Sequence, residues 1–546
     1  MGNLHAVYED LGEFLTGNLD EAAVRAILGI AAALAGVGAD GRGVDGAEWA
    51  GACACAGARY GDAIFERVLD RLVARSIAER GEDGRWRFVS VEQVGALAEI
   101  SADEKRLGRY HGACARVLSK IYADATRDAQ GSIVAGRRAR HLIVARRVDE
   151  ALEELLVAQK VALDSDDLEG CLGWLEQREQ LLDQMQVAPL SPMRAHNDTC
   201  RAQAYFMKGD IGRAEALVQR GITVLRRSDW ASETGYAMLL YAKIRISQGR
   251  YPEALRFQDD ASGYLAVAGD VHGLTRARAN KAHVMMLQGR YEAARAGMLK
   301  AQESFDALGD RFFVARLHNF IARTWLGEGN TAEAMRAAER SRALAKAEGY
   351  RVTEAGAWMM LGEIARRSEQ WEQARLHYVK ALEIYPSGTH RPAQVGRYNI
   401  ALVEIGAQNF QVARPILSKL LLSYVEMGMR AKLPLIYAAL MTCAVGRKDW
   451  QAWEESRAHF ERTLPQSGGA HEDIAWLAER MLGLIDALIR KEAVDNIAER
   501  TRLAELRACS FALACAQNEQ LGNCEKLHAL RTAYAAAGAD MALQPS

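Results

Sequence analysis

The chain is poor in the features that usually break or staple a fold. Only nine prolines interrupt its 546 residues, so long helices meet few forced stops. Its nine cysteines are scattered and odd in number, and Cys53 and Cys55 stand one residue apart. That spacing excludes a C-x-x-C redox pair and offers no zinc-ligand set. It leaves small buried thiols in a reducing compartment. Net charge is −1, which excludes the global basic field of a nucleic-acid or acidic-membrane binder. The longest apolar run, 26–38, is too short for a bilayer span and rich in Ala and Gly. The first fifteen residues lack a basic start followed by an apolar stretch, and Ala6 stands where a myristoylation signal needs Ser or Thr. A cytoplasmic location without membrane contact is the expectation.

Motifs that carry chemistry are missing as well. No G-x-S-x-G, H-E-x-x-H, C-x-x-C or G-x-x-x-x-G-K-[ST] occurs. The one G-x-G-x-x-G, "GVGADG" at 36–41, follows a helical pattern, whereas a dinucleotide site needs a strand before it. Histidines such as His272, His283, His377 and His390 form no H-x-x-x-H pair. Neither catalysis nor a metal or other cofactor is expected.

What is present is a period. Anchor positions Ile211, Tyr251, Tyr291, Thr331, Trp371, Phe410 and Trp450 are separated by 40, 40, 40, 40, 39 and 40 residues. Three places after the anchor stands Ala214, Ala254, Ala294, Ala334, Ala374 or Ala413. Twelve places before that alanine stands Ala202, Ala242, Ala282, Ala322, Gly362 or Ala401. Seven places after it comes Gly221, Ala261, Ala301, Ser341 or Ala381. Small residues on facing helices let two backbones approach, and the large anchor is expected to cap the contact between them. Gly209, Gly249, Gly289 and Gly329 precede the anchors and supply the left-handed residue that ends a helix. Further glycines recur half a period later in "AGD" (268–270), "LGD" (308–310), "AEG" (347–349) and "EMG" (426–428). Each unit therefore reads helix, turn, helix, turn, with about 17 residues per helix once two short turns are subtracted. Glu253, Glu292, Glu333 and Glu372 fall in the first turn of the second helix, where a negative charge suits the helix dipole.

These columns, with phrases such as "GRYPEAL" and "EQWEQAR", resemble the tetratricopeptide (TPR) family. The common unit of that family is about 34 residues, so both helices here look longer by about a turn. The longer form resembles the TPR-like sensor regions of large bacterial regulators. The expected fold class is all-α: a TPR-like α-solenoid of 40-residue helix-turn-helix repeats with a small N-terminal winged-helix-like domain. The expected boundaries are 1–100 for that domain, 101–160 for connecting helices and a first atypical pair, 161–465 for the superhelix, and 466–546 for irregular C-terminal helices and a cap.

The N-terminal block shows helical patterns at 4–16, 20–36, 46–58 and 61–78, then two short strands, 77–80 and 86–89, around "GEDGR". Helices followed by a hairpin make a winged-helix pattern. The stretch 68–118 resembles the region after the ATPase core of bacterial signal-transduction (STAND-type) ATPases. Arg87 and Phe88 match the strand of that family, and His111, Ala115 and Leu118 match its following helix, while Leu107 stands where the family has arginine. This resemblance implies a bacterial signalling role and a regulatory half that works with a separate ATPase or effector. A winged helix also raises DNA binding through 61–89. On helix 61–78, however, Arg67, Arg71 and Arg75 share the face with Asp62, Glu66 and Asp70, so nucleic acid is not the expected partner.

In the TPR-like register the first helix of each pair lines the groove. Its exposed positions are Tyr236 and Lys243, then Arg276 and His283, then Arg316, Asn319 and Arg323, then Arg366. Arginine recognises carboxylates through two parallel donors. The expected function is protein–protein interaction or signal sensing, with an acidic protein or peptide partner in this groove. A sensor subunit for a STAND-type ATPase and a DNA-binding regulator are the alternatives.

Overall fold

The computed structural model describes residues 21–542 apart from 39–42, 82–84, 102–103, 123–128, 166, 386–390, 427–428, 467–470 and 492–496. The expected helix at 4–16 and parts of the "GVGADG", "GEDGR" and "EMG" segments lie outside the described residues. The chain divides into two compact units, Met1–Ala204 and Tyr205–Ser546.

The first unit opens with α1 (Glu21–Val37), β1 (Gly43–Val44), α2 (Gly46–Cys55), α3 (Asp62–Ala74), β2 (Ala78–Arg80) and β3 (Trp86–Phe88). The sheet order is β1-β3-β2, all antiparallel. Strand β1 is two residues long, too short to leave an alternating pattern, and the sequence reading passes over it. It pairs Gly43 with Arg87 and Val44 with Trp86. Aromatics fill the core beneath. Trp49 lies 5.1 Å from Phe65 and 5.0 Å from Trp86, and its indole N–H donates to the Ile27 carbonyl at 2.9 Å. The remaining elements are α4 (Val91–Ser101), α5 (Glu104–Ile121), α6 (Ala129–Val144), α7 (Val148–Asp164), α8 (Leu168–Gln184) and α9 (Pro192–Lys208), within which the unit boundary falls.

The second unit is the periodic one. Its pairs are α10 (Ile211–Leu225) after α9, then α11 (Ala231–Ser247) with α12 (Tyr251–Val267), α13 (Val271–Leu287) with α14 (Tyr291–Ala307), α15 (Arg311–Gly327) with α16 (Thr331–Ala347), and α17 (Arg351–Arg367) with α18 (Trp371–Ile384). They continue as α19 (Arg391–Gly406) with α20 (Phe410–Glu426), α21 (Leu433–Gly446) with α22 (Trp450–Thr463), α23 (Glu472–Lys491) with α24 (Ile497–Gln520), and α25 (Cys524–Ala542). The helices α11 to α17 are each 17 residues long, as the period requires.

The small columns are buried. Ala254, Ala294, Ala334, Ala374 and Ala413 are fully shielded, as are Ala242, Ala322 and Ala401. A Cβ on Gly297 would stand 3.0 Å from that of Ala282, which shows how closely α13 and α14 approach. Ser341 keeps the column small and donates its hydroxyl to the Ala315 carbonyl at 2.8 Å. The turns take φ between +66° and +95° at Gly209, Gly249, Gly269, Gly289, Gly309, Gly329 and Gly349. Glu369, Gln408 and Lys448 adopt the same left-handed conformation without being glycine. Asp210, Asp270, Asp310, Asn330 and Asp449 then cap the next helix, each accepting from the backbone N–H three residues on.

The anchors do something other than cap their own pair. Tyr291 lies against Gly327, Trp371 against Gly406 and Phe410 against Gly446, each at the end of the first helix of the following pair. They therefore bond repeat to repeat. First helices of successive pairs also touch one another, while successive second helices make weaker contacts or none. The stack thus curves with its first helices inside.

Candidate functional site

The inner face carries the candidate residues, and their positions follow from the period. Lys243 on α11, His283 on α13 and Arg323 on α15 occupy one equivalent place, and Arg276 and Arg316 another. Aromatic rings hold the second group. The Arg276 guanidinium lies 5.0 Å from the Tyr236 ring and 5.2 Å from the Phe313 ring. The Arg316 guanidinium lies 5.4 Å from the same Phe313 ring and 5.6 Å from Phe312. Such contacts position a cation without neutralising it.

The electrostatics are those of a positive cluster. Burial, with Arg276 and Arg316 beside it, pushes the Lys243 ammonium down to about 7. Burial and then Arg323, Arg316 and Lys243 push His283 down to about 4. Burial also lowers Arg276 and raises the Tyr236 phenol to about 12. Among the described residues, no carboxylate forms an ion pair with Lys243, Arg276 or Arg323. Other arginines of these repeats are paired: Arg245 to Glu215 at 2.8 Å, Arg295 to Glu328 at 2.8 Å and Arg375 to Glu404 at 2.6 Å. Asn319 lies in the same face, its Oδ1 buried and without a hydrogen-bond partner. Its Nδ2 sits 3.1 Å from where a Cβ on Gly356 would be, so the amide packs closely against the α17 backbone.

Arg366 does not join this open face. It is 7% exposed and lies in an ion network at the end of α17. Its guanidinium donates twice to Glu363 at 2.8 Å and once to Asp473 at 3.1 Å. Arg367 reaches Glu363 at 2.8 Å and also pairs with Glu472, while Arg480 pairs with Glu369. Trp476 lies 5.4 Å from the Arg366 guanidinium. Burial disfavours charge on Glu363, yet Arg366 and Arg367 outweigh it and hold the carboxyl well below the usual range. The head of α23 therefore folds onto α17 from more than a hundred residues away. Nothing in the local pattern of "HEDIAW" (471–476) signals that contact, because two acids at a helix start have a sufficient local explanation. Phe312, Phe313 and His272 also escaped the sequence reading as site residues. His272 Nε2 lies 2.8 Å from Asp310 Oδ2, and its ring packs edge-on against Phe313 at 5.3 Å.

Elsewhere, α3 carries mixed charge. Arg80 binds Glu66 at 2.9 Å and Asp70 at 2.7 Å. No group of three or more possible metal ligands occurs among the described residues. No described helix is long and apolar enough to cross a membrane.

The fold and the inner face define a helical-repeat solenoid of tetratricopeptide type. Residues 355–387 match the tetratricopeptide repeat family model. No curated protein sequence matches the chain. In fold it resembles a Signal Transduction ATPase with Numerous Domains (STAND) protein with a tetratricopeptide repeat sensor from Pyrococcus horikoshii. That match has 14% identity and a TM-score of 0.53, and it covers 82% of this chain and 64% of the archaeal one. The chain thus spans less than two thirds of that protein. Weaker matches include a Rap protein complexed with competence and sporulation factor (10% identity, 71% of this chain and 99% of that one, TM-score 0.49). Another is the apo form of the quorum sensor NprR from B. thuringiensis (18%, 67% and 99%, 0.41).

Proposed function

We propose that this protein is a non-catalytic interaction or sensing scaffold whose inner face, built by α11, α13 and α15, holds an acidic segment of a protein or peptide partner. The observation that carries this reading is the unpaired state of Lys243, Arg276 and Arg323 on one face among the described residues, while Arg245, Arg295 and Arg375 are matched to carboxylates. Gathering like charges costs free energy unless a counter-charge arrives. The chain also supplies a precedent, since Glu472 and Asp473 settle on Arg367 and Arg366 of the next first helix. Affinity capture from cells tests it. Arg276→Glu and Arg323→Glu should each lose the partners that wild type retains, and unchanged recovery would remove the site.

A second reading makes the chain the regulatory part of a STAND-type ATPase system. The order helix, strand, helix, helix, hairpin in α1 to β3 supports a winged-helix-like module ahead of the repeats. Co-purification of a nucleotide-binding protein with the full chain favours it, and a chain that recovers none speaks against it.

A further inference from the structure

The turns that lead into the first helices form an edge of the inner face, and that edge carries apolar side chains. Val267 is 83% exposed, Val271 56% and Leu308 46%. Val267 ends α12, Val271 begins α13, and Leu308 follows α14 in the matching turn one repeat on. Polar contacts tie these turns into a single edge. The Ser232 hydroxyl at the start of α11 donates to Asp270 at 3.0 Å. One repeat on, His272 Nε2 at the start of α13 lies 2.8 Å from Asp310 Oδ2. In the next, Arg311 at the start of α15 donates to Glu348 at 3.3 Å. These polar groups answer one another along the edge, while the valines and the leucine beside them face water. Single exposed apolar side chains are ordinary, but a group on successive turns of one edge marks a contact surface.

The cation of the site stands just inside that edge. Arg276 lies one turn beyond His272 on the same face of α13. Its guanidinium is 5.0 Å from the Tyr236 ring and 5.2 Å from the Phe313 ring. Both rings also meet His272, Tyr236 through its hydroxyl at 3.5 Å from Nδ1 and Phe313 at 5.3 Å between centroids. Among the described residues no carboxylate forms an ion pair with Arg276. A segment that places an acid on this arginine therefore runs outward past His272 onto Val271 and its neighbours. Charge complementarity fixes the inner part of that segment, and burial of hydrocarbon fixes the outer part. We propose that the partner segment is amphipathic: its carboxylate meets Arg276, and its large apolar side chains cover Val267, Val271 and Leu308. The inference rests on the reading of the inner face as the partner site and adds what must flank the acid.

The test uses the full chain to select from a random dodecapeptide library displayed on phage, after which a selected peptide is synthesised with fluorescein. Selected sequences should be enriched both in Asp or Glu and in Leu, Ile or Phe. In fluorescence anisotropy the double variant Val267→Ser, Leu308→Ser should bind the peptide at least ~10-fold more weakly, about 1.4 kcal/mol. Its melting temperature should match wild type, since both side chains are exposed. A peptide with serine in place of its apolar residues should bind the double variant and wild type equally. Arg276→Gln should remove the preference for the acid over its amide and keep the preference for apolar residues. Val412→Ser, at an exposed position on α20, should change neither. Selection of acids without apolar residues, or a double variant that binds as wild type does, overturns the apolar edge and leaves the acidic-partner reading standing. Selection of apolar residues without acids, or no selection at all, overturns both.

Discussion

His111 and His141 face each other in the first unit with their Nδ1 atoms 2.9 Å apart, both buried. Burial pushes His111 down to about 4. Burial, with His111 and Arg137 beside it, takes His141 well below its ordinary value. In the unfolded chain an imidazole titrates near 6.5. Between about 6.5 and about 4 the unfolded state therefore binds more protons, and stability rises with pH through that window. The contribution is complete above 6.5 and is lost on acidification. Calorimetry at pH 7.5 and pH 5 should show the melting temperature falling by several degrees, and His141→Gln should flatten that slope. An unaltered slope in the variant would mean the pair is not its source.

Glu48 presents a second buried charge. It is 1% exposed, accepts from Arg137 at 2.6 and 2.9 Å, and accepts from the Tyr122 hydroxyl at 2.9 Å. Glu48→Ala strands Arg137 and should cost about 3–5 kcal/mol, read as a shift of the denaturant midpoint.

At the scale of the element, the turns and the anchors make opposite predictions. Gln408 is exposed and holds φ at +62°. Gln408→Gly should stabilise the protein by about 0.5–1 kcal/mol, the left-handed strain of a non-glycine residue less the entropy glycine gives back. Gly446 is the reverse case, since a Cβ there would come within 2.2 Å of the Phe410 ring. Gly446→Ala should destabilise by about 1–3 kcal/mol through overpacking. Paired unfolding curves for the two variants check both signs.

These contacts also mark where the sequence is readable. The small columns and seventeen-residue helices could be read because each repeat restates the same local solution. Phe410 could be found as an anchor but not assigned to Gly446, because the period alone does not say which neighbour an aromatic serves. Strand β1 left no pattern in two residues. The register placed Lys243, Arg276 and Arg323 on one face, but it also placed Arg366 there. Only the tertiary path of α23 shows that Arg366 is already occupied.

At the scale of the whole molecule, the network joining α17 to α23 is a long-range closure. Asp473→Lys puts a cation against Arg366 and Arg367. Hydrogen exchange should then quicken in the first turns of α23 and at the end of α17, with the small-residue columns of α11 to α14 unaffected. Uniform protection in both regions would show that the closure is held by other contacts, such as Trp476 on Arg366 at 5.4 Å.

That closure has a mechanical meaning. The Arg366–Asp473 contact spans 107 residues, so the chain from α17 to α23 is a pinned loop whose length is fixed at both ends. Contacts described above for α11 to α16, such as Arg295 to Glu328, reach only the neighbouring pair, so these repeats are expected to yield before the pinned ones. Any extension of the second unit is therefore taken up in those repeats. They are the ones that carry the basic inner face, so grip and compliance sit in the same coils.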